Sequence, residues 1–228
     1  MFAARRPDML WRKIRGKDLI EIEVGEVAPY LPPNPVILEA GAFNGADTTQ
    51  FARRWPSAVI YSFEPVPELY DEAKQRTAHL PGVRLFPVAL SGHRGTAIMH
   101  VAHTAPGINR ASSSLLARPN TATESADQTY THDIEVPTVT IADWARAEGV
   151  DQVDFMWLDM EGMELPVLQA AGPLLGTVKA VCMEVGREDF YVGAAPYHEI
   201  ISWMKDNGFR VAIDRVTLWF GNILFVRD

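Results

Sequence analysis

The chain has 228 residues, 47% hydrophobic and 22% charged, proportions that suit one substantial globular domain and exclude disorder over most of its length. No run approaches the ~18–20 apolar residues of a spanning helix, and a single cysteine, Cys182, excludes an internal disulfide framework or a multi-cysteine zinc site. The net charge of −8 is uneven: residues 1–17 hold six basic side chains against Asp8, while the remainder carries 15 basic and 28 acidic groups. An acidic body argues against broad nucleic-acid binding, which depends on phosphate neutralisation.

Residues 8–30 read as a helical extension, in which Ile14, Leu19, Ile20 and Val24 either cover a ligand or pair two chains into a homo-oligomer. Val36-Ile37-Leu38 is a short apolar strand ending at Glu39 and a glycine turn, followed by a helix over 46–55 with Asp47 or Thr48 placed to cap it. A second strand, Ala58–Phe63, closes at Glu64-Pro65, because proline cannot extend the ladder. A helix over 67–79 carries Leu69, Ala73 and Arg76 or Thr77 on one face, and Val83–Val88 is the third strand. This βαβαβ rhythm predicts a parallel sheet with helices on both faces.

The middle departs from the rhythm. Residues 96–102 and 134–140 read as strands around a polar stretch from Thr104 to Asp133, expected to be a lid-like insertion over the site at about 103–133. The α/β pattern then resumes with a helix over 141–150, a strand at 153–158, a helix over 165–171, a strand at 178–184 and a helix over 197–207. Phe209–Asp214 and Leu218–Val226 are expected to close the sheet as an antiparallel pair around Arg215. The expected domain spans 35–228, after an extension over 1–34.

In open α/β sheets ligands bind beyond the carboxyl ends of the strands. Here those ends carry Glu39-Ala40-Gly41-Ala42-Phe43-Asn44-Gly45, then Glu64, then Asp159-Met160-Glu161-Gly162-Met163-Glu164, then Glu184. Gly41 and Gly45 allow a tight turn and close backbone approach, but their spacing is not the G-x-G-x-x-G dinucleotide fingerprint. Glu64 lies where nucleotide binders hold ribose hydroxyls, since a carboxylate accepts two O–H bonds. Asp159 ends an apolar strand. Glu164, at the start of the next helix, is favoured by the helix dipole and expected to be structural. Asp159 and Glu184 could share Mg²⁺, although neither spacing demands a metal, and the central histidines (His93, His100, His103, His132) make no metal-binding pair. The expectation is therefore a site without metal.

The Glu39–Gly45 turn, Glu64-Pro65, Val88-Ala89-Leu90-Ser91, Ser112-Ser113-Ser114-Leu115 and above all Asp159-x-Glu161-Gly162-x-Glu164-x-x-Val167-Leu168 resemble the FkbM family of S-adenosylmethionine-dependent methyltransferases, over roughly residues 35–226. Relatives usually begin the first turn Asp-x-Gly-Ala-Asn-x-Gly, whereas here Glu39 replaces the aspartate and Phe43-Asn44 shifts the asparagine by one. The resemblance implies a Rossmann-like class I methyltransferase sheet, mostly parallel with an antiparallel final strand. It also implies S-adenosyl-L-methionine as cofactor. Gly41 and Ala42 would then lie against its methionine part and ribose, with Glu39, Asn44, Gly45, Pro65, Ser113 and Glu161 as further cofactor contacts. Glu64 would hold the ribose hydroxyls, Ala89 and Leu90 would flank the adenine, and Asp159 would face the amino end or the acceptor.

An oxygen acceptor must lose a proton, and Asp159, Glu161, Glu184 and His198 are the base candidates. The expected activity is O-methylation of a hydroxyl on a small molecule, sugar or lipid-like natural product by a cytoplasmic protein without stable membrane insertion. A nicotinamide-dependent oxidoreductase is the alternative enzyme, weakened by the missing third glycine and the lack of a Tyr-x-x-x-Lys pair. A non-catalytic cofactor-binding module is the other. Nucleic-acid methylation ranks lower, because no Asn-Pro-Pro-Tyr block follows the fourth main strand.

Overall fold

The computed structural model of the protein describes residues 20–104, 112–118, 128–186, 191–218 and 220–228. Ten strands are present among them: β1 (Val36–Ala40), β2 (Val59–Phe63), β3 (Val83–Phe86), β4 (Ala89–Leu90), β5 (Gly95–Thr104), β6 (Gln128–Val139), β7 (Phe155–Leu158), β8 (Ala180–Gly186), β9 (Phe209–Asp214) and β10 (Phe220–Arg227). The α-helices are α1 (Val24–Val27), α2 (Ala46–Arg54), α3 (Pro67–Thr77), α4 (Ile141–Glu148), α5 (Glu164–Gln169) and α6 (Tyr197–Asp206).

Seven strands form the main sheet in the order β3-β2-β1-β7-β8-β10-β9. β1, β2, β3, β7 and β8 pair parallel, and β10 runs antiparallel to both β8 and β9. Strand order reverses between β1 and β7, so the crevice beyond their carboxyl ends is the place where such sheets take ligands.

Period-two alternation sorts the strand residues onto two faces. Leu38, Ala40, Tyr61, Phe63, Met156 and Leu158 face the larger core, which α4 closes with Ile141 and Trp144. Trp144 sits edge-on to Tyr61, Phe63 and Phe86, with centroids 4.9, 5.1 and 5.7 Å away, an arrangement aromatic quadrupoles favour. Ile37, Ile60, Phe155, Cys182 and Leu224 face the other core, with Phe51 and Trp55 packed on them.

Residues 20–34, expected as an extension ahead of the domain, are packed into it: Ile22 and Val27 are buried in that second core. Arg215, in the turn between β9 and β10, donates to the Glu26 carboxylate at 2.7 Å and to the Glu21 carbonyl, clasping the same segment. Residues 1–19 lie outside the described residues.

Two sequence expectations need correction. The third strand stops at Phe86 rather than Val88, because Pro87 has no N–H for the ladder. The chain then enters a second sheet, β4-β6-β5, where Ala89 and Leu90 pair parallel with Thr138 and Val139. Nor is the stretch from Thr104 to Asp133 one long loop: β6 begins at Gln128 and pairs antiparallel with β5 along its length. Of the expected lid, residues 105–111 and 119–127 lie outside the described residues. Residues 112–118 run against β5, where His100 and Ser114 exchange backbone bonds of 2.9 and 3.2 Å. No described helix is long and apolar enough to cross a membrane.

Candidate active site

β2 and β7 deliver the site's acidic residues, Glu64, Asp159 and Glu161, on either side of the β1 end. The chain leaves β1 through Gly41 at φ +87°, where a Cβ would lie 2.0 Å from the Asp159 carbonyl oxygen. Only glycine fits that approach. The N–H groups of Gly41 and Ala42 both donate to the Phe63 carbonyl at 3.1 and 3.0 Å, and the Asp159 N–H donates to the Ala40 carbonyl at 3.0 Å. The first turn is thus bound to β2 on one side and abuts the β7 end on the other.

Glu64 is nearly buried, with 5% of its surface exposed. One of its carboxylate oxygens accepts from the Phe43 N–H at 2.8 Å and the other from the Val66 N–H at 2.9 Å. Burial pushes its carboxyl up to about 7, against the pull of those two bonds. Each oxygen keeps lone-pair capacity for a further donor, and the residue lines the cleft.

Glu39 occupies a different place from the one its motif position suggests. It shares the second core face with Ser62, fully buried; its Oε2 accepts from the Thr48 and Ser62 hydroxyls, both at 2.6 Å. Its Oε1 is buried without a hydrogen-bond partner, and burial raises the carboxyl to about 7. Glu39 therefore ties β1, β2 and α2 together and does not line the cleft. The cap predicted from Asp47 or Thr48 is not formed: Gly45 is the N-cap and both residues lie inside the helix, while the Asn44 Oδ1 accepts from the Ala46 N–H at 3.2 Å.

The loop after β7 is braced on several sides. Glu164, 3% exposed, accepts from the Met160 N–H at 2.9 Å and the Gly162 N–H at 3.0 Å, with burial raising its carboxyl to about 7. Its structural role is as the sequence suggested. Glu161 adopts φ +56°, uncommon for a residue with a side chain. Its carbonyl accepts from the Ser114 hydroxyl at 2.8 Å, and its Oε2 from the Tyr191 hydroxyl at 2.7 Å. Carboxylate oxygens of Asp159, Glu161 and Glu184 lie within 4.8 Å of one another.

Between these walls lies a cleft of about 700 Å³, part of it open to solvent. Of the residues singled out in the sequence, Gly41, Glu64, Pro65, Ala89, Leu90, Ser113, Asp159 and Glu161 line it. Ala42 is buried behind the turn, and Gly45 starts α2 at φ +77° against Ala73. Glu184 adjoins Asp159 and Glu161 without lining the cleft. His198 is exposed at the start of α6 and is not brought to the cleft.

Sequence reasoning missed the apolar lining, including Phe43, Phe63, Met99 and Met163, along with Tyr191 beside Glu161. Apolar residues at strand ends look like core in a sequence, and Tyr191 sits in a segment without periodicity.

A doubly wound sheet with an acidic cleft at its switch point defines a class I, nucleoside-cofactor type of fold. Its overall form is similar to the Methanococcus jannaschii fibrillarin pre-rRNA processing protein, with TM-score 0.51 at 11% identity over 91% of this chain and 70% of that one. The chain belongs to the FkbM methyltransferase family, whose Methyltransferase FkbM domain matches residues 39–211. It is 27% identical over 171 residues to the 2-O-methyltransferase NoeI of Sinorhizobium fredii, covering 74% of this chain and 70% of that protein. It is 28% identical over 209 residues to methyltransferase sdnD of Sordaria araneosa, covering 81% and 77% respectively. The protein is an S-adenosylmethionine-dependent methyltransferase.

The cleft's own chemistry fits that cofactor. Glu64 offers acceptor oxygens for a vicinal diol, Val88, Ala89 and Leu90 offer an apolar surface for a flat base, and among the described residues the charged groups lining the cleft, Glu64, Asp159 and Glu161, are acidic, which suits a cationic sulfonium.

Proposed function

We propose that the protein O-methylates a hydroxyl on a small polyhydroxylated acceptor, such as a sugar or a natural product. The observation that carries this reading is the placement of Glu64 and the Asp159–Glu161 pair on opposite sides of the Gly41 turn in one cleft. The likeness to a 2-O-methyltransferase supports a hydroxyl acceptor. In this reading Glu64 binds the ribose hydroxyls, Gly41 lets the methionine portion approach the backbone, and Ala89 and Leu90 flank the adenine. Asp159 faces the amino end.

When bound, the cofactor supplies an electrophilic methyl group on a positively charged sulfur. The chain's own residues then align the acceptor and exclude water, through the apolar wall of Phe43, Met99, Leu115 and Met163. Such alignment is worth up to ~7–11 kcal/mol of the barrier. The carboxylates beyond β7 offset charge and receive the acceptor's proton.

The test is a calorimetric titration with S-adenosylhomocysteine on the wild type and on Glu64→Ala. Micromolar binding that weakens about tenfold or more in the variant supports the reading, on the scale of a hydrogen bond to a charged group. No binding to folded protein, with a response to NADH instead, sinks it.

A further inference from the structure

One of the cleft's strained residues is held from several sides. Glu161 is one of two non-glycine residues with positive φ among the described residues, the other being Phe43. Such a conformation costs on the order of 1 kcal/mol or more and persists only where its surroundings impose it. Next to it Gly162 stands at φ +107°, and a Cβ there would come within 3.1 Å of Leu116 and of Ala194. The loop is wedged between two segments, and each grips Glu161. Ser114 holds its carbonyl, and Tyr191 holds its carboxylate.

Tyr191 is itself constrained. It is 6% exposed. Its hydroxyl accepts from Arg118 Nη2 at 3.3 Å, and the guanidinium lies 5.4 Å from its ring centroid. The Val192 N–H donates to the Ala117 carbonyl at 2.8 Å, joining the two segments directly. The phenol's single proton is thus committed to Glu161 Oε2. Glu161 Oε1 makes no hydrogen bond to a described residue, on a side chain that lines the cleft.

Resting on the methyltransferase reading above, we propose that Glu161 Oε1 takes the acceptor hydroxyl's proton, and that Tyr191 and Arg118 are the positioning residues that aim it. The acceptor oxygen forms its bond to the methyl carbon while the carbon–sulfur bond breaks, leaving its electron pair on sulfur as a neutral thioether. The hydroxyl proton passes to the Glu161 carboxylate. Tyr191 holds the other oxygen so that this one faces the reacting group, which spares reorganisation during the step.

The acceptor need not be known to test this. Sinefungin carries a protonated amine where the transferable methyl stands, whereas S-adenosylhomocysteine carries nothing there. Calorimetry on the full chain should give sinefungin about tenfold or more tighter binding than S-adenosylhomocysteine, the worth of a charge-assisted hydrogen bond. Glu161→Gln should bring the two affinities within about twofold, with S-adenosylhomocysteine binding nearly unchanged. Tyr191→Phe should reduce the preference by about threefold or more at an unchanged S-adenosylhomocysteine affinity, which a merely structural loss would not produce. Should Tyr191→Phe unfold, Glu161→Gln alone decides. A preference that survives Glu161→Gln, or is lost in Asp159→Asn instead, overturns the proposal. A wild type that binds neither compound overturns the cofactor reading and this proposal with it.

Discussion

Acidifying the solution from pH 8 to pH 6 should weaken S-adenosylhomocysteine binding about tenfold, through Glu64 alone. Burial holds the free protein's Glu64 carboxyl at about 7, so its ionised fraction falls from about nine-tenths at pH 8 to about one-tenth at pH 6. Two ribose hydroxyls donate best to the ionised form. The apparent dissociation constant is the intrinsic one divided by the competent fraction, which gives about tenfold, or ~1.4 kcal/mol. The same linkage requires release of about half a proton per ligand bound near pH 7. Isothermal titration in buffers of different ionisation enthalpy reads both quantities. Glu64→Gln should bind more weakly and lose the slope. Glu39→Gln should keep it, because Glu39 lies behind the turn on the Thr48 and Ser62 hydroxyls. A wild-type affinity flat from pH 6 to 8, or a slope retained by Glu64→Gln, would refute the role assigned to Glu64.

Glu39, Glu64 and Glu164 are all raised from 4.5 to about 7 by burial, so the folded chain binds more protons than the unfolded one between those values. Stability should then fall as pH rises from 5 to 7, by up to about 3 kcal/mol per group; melting temperatures for Glu39→Gln should show a shallower decline than wild type. Gly41→Ala places a methyl 2.0 Å from the Asp159 carbonyl at φ +87°, and should cost about 2 kcal/mol or more and abolish cofactor binding, read by thermal shift with and without S-adenosylhomocysteine. Glu164→Ala strands the Met160 and Gly162 N–H groups and should lower the melting temperature by roughly 5–10 °C. Gly221→Ala meets the Arg215 carbonyl at 2.2 Å, away from the cleft, and should destabilise the fold while leaving cofactor affinity within about twofold.

Much of the sheet was legible because local and global signals agree. Ile37, Ile60 and Phe155 sit in short apolar runs that can only be central strands, and each run stops at a residue with a reason to stop there, Gly41, Pro65 or the acidic block after Leu158. The closing pair around Arg215 was equally visible, since Gly208 stops the preceding helix and a short apolar-rich run lies on each side of the turn. What failed were features set by partners far away in the chain. Pro87 was read as part of a strand, though its missing N–H moves Ala89 and Leu90 into the second sheet. The start of β6 at Gln128 lies in polar sequence, and pairing with β5 defines it.

The site shows the same division. Glu64 and Asp159, singled out as carboxylates at strand ends, both line the cleft. Glu39 looked equivalent, but face alternation turns it to the opposite side of β1, beside Ser62, and away from the cleft. Tyr191 and Arg118 gave no signal, since their meaning comes from contacts distant in sequence: Tyr191 reaches Glu161 across 30 residues, and Arg118 reaches Tyr191 across 73.

A crystal structure of the complex with S-adenosylhomocysteine tests the central claim most directly. The account predicts the ribose hydroxyls on the Glu64 carboxylate, the adenine beside Ala89 and Leu90, and the sulfur turned toward Glu161 beneath Tyr191. A nucleoside bound elsewhere, or in this cleft with its ribose away from Glu64, would contradict it.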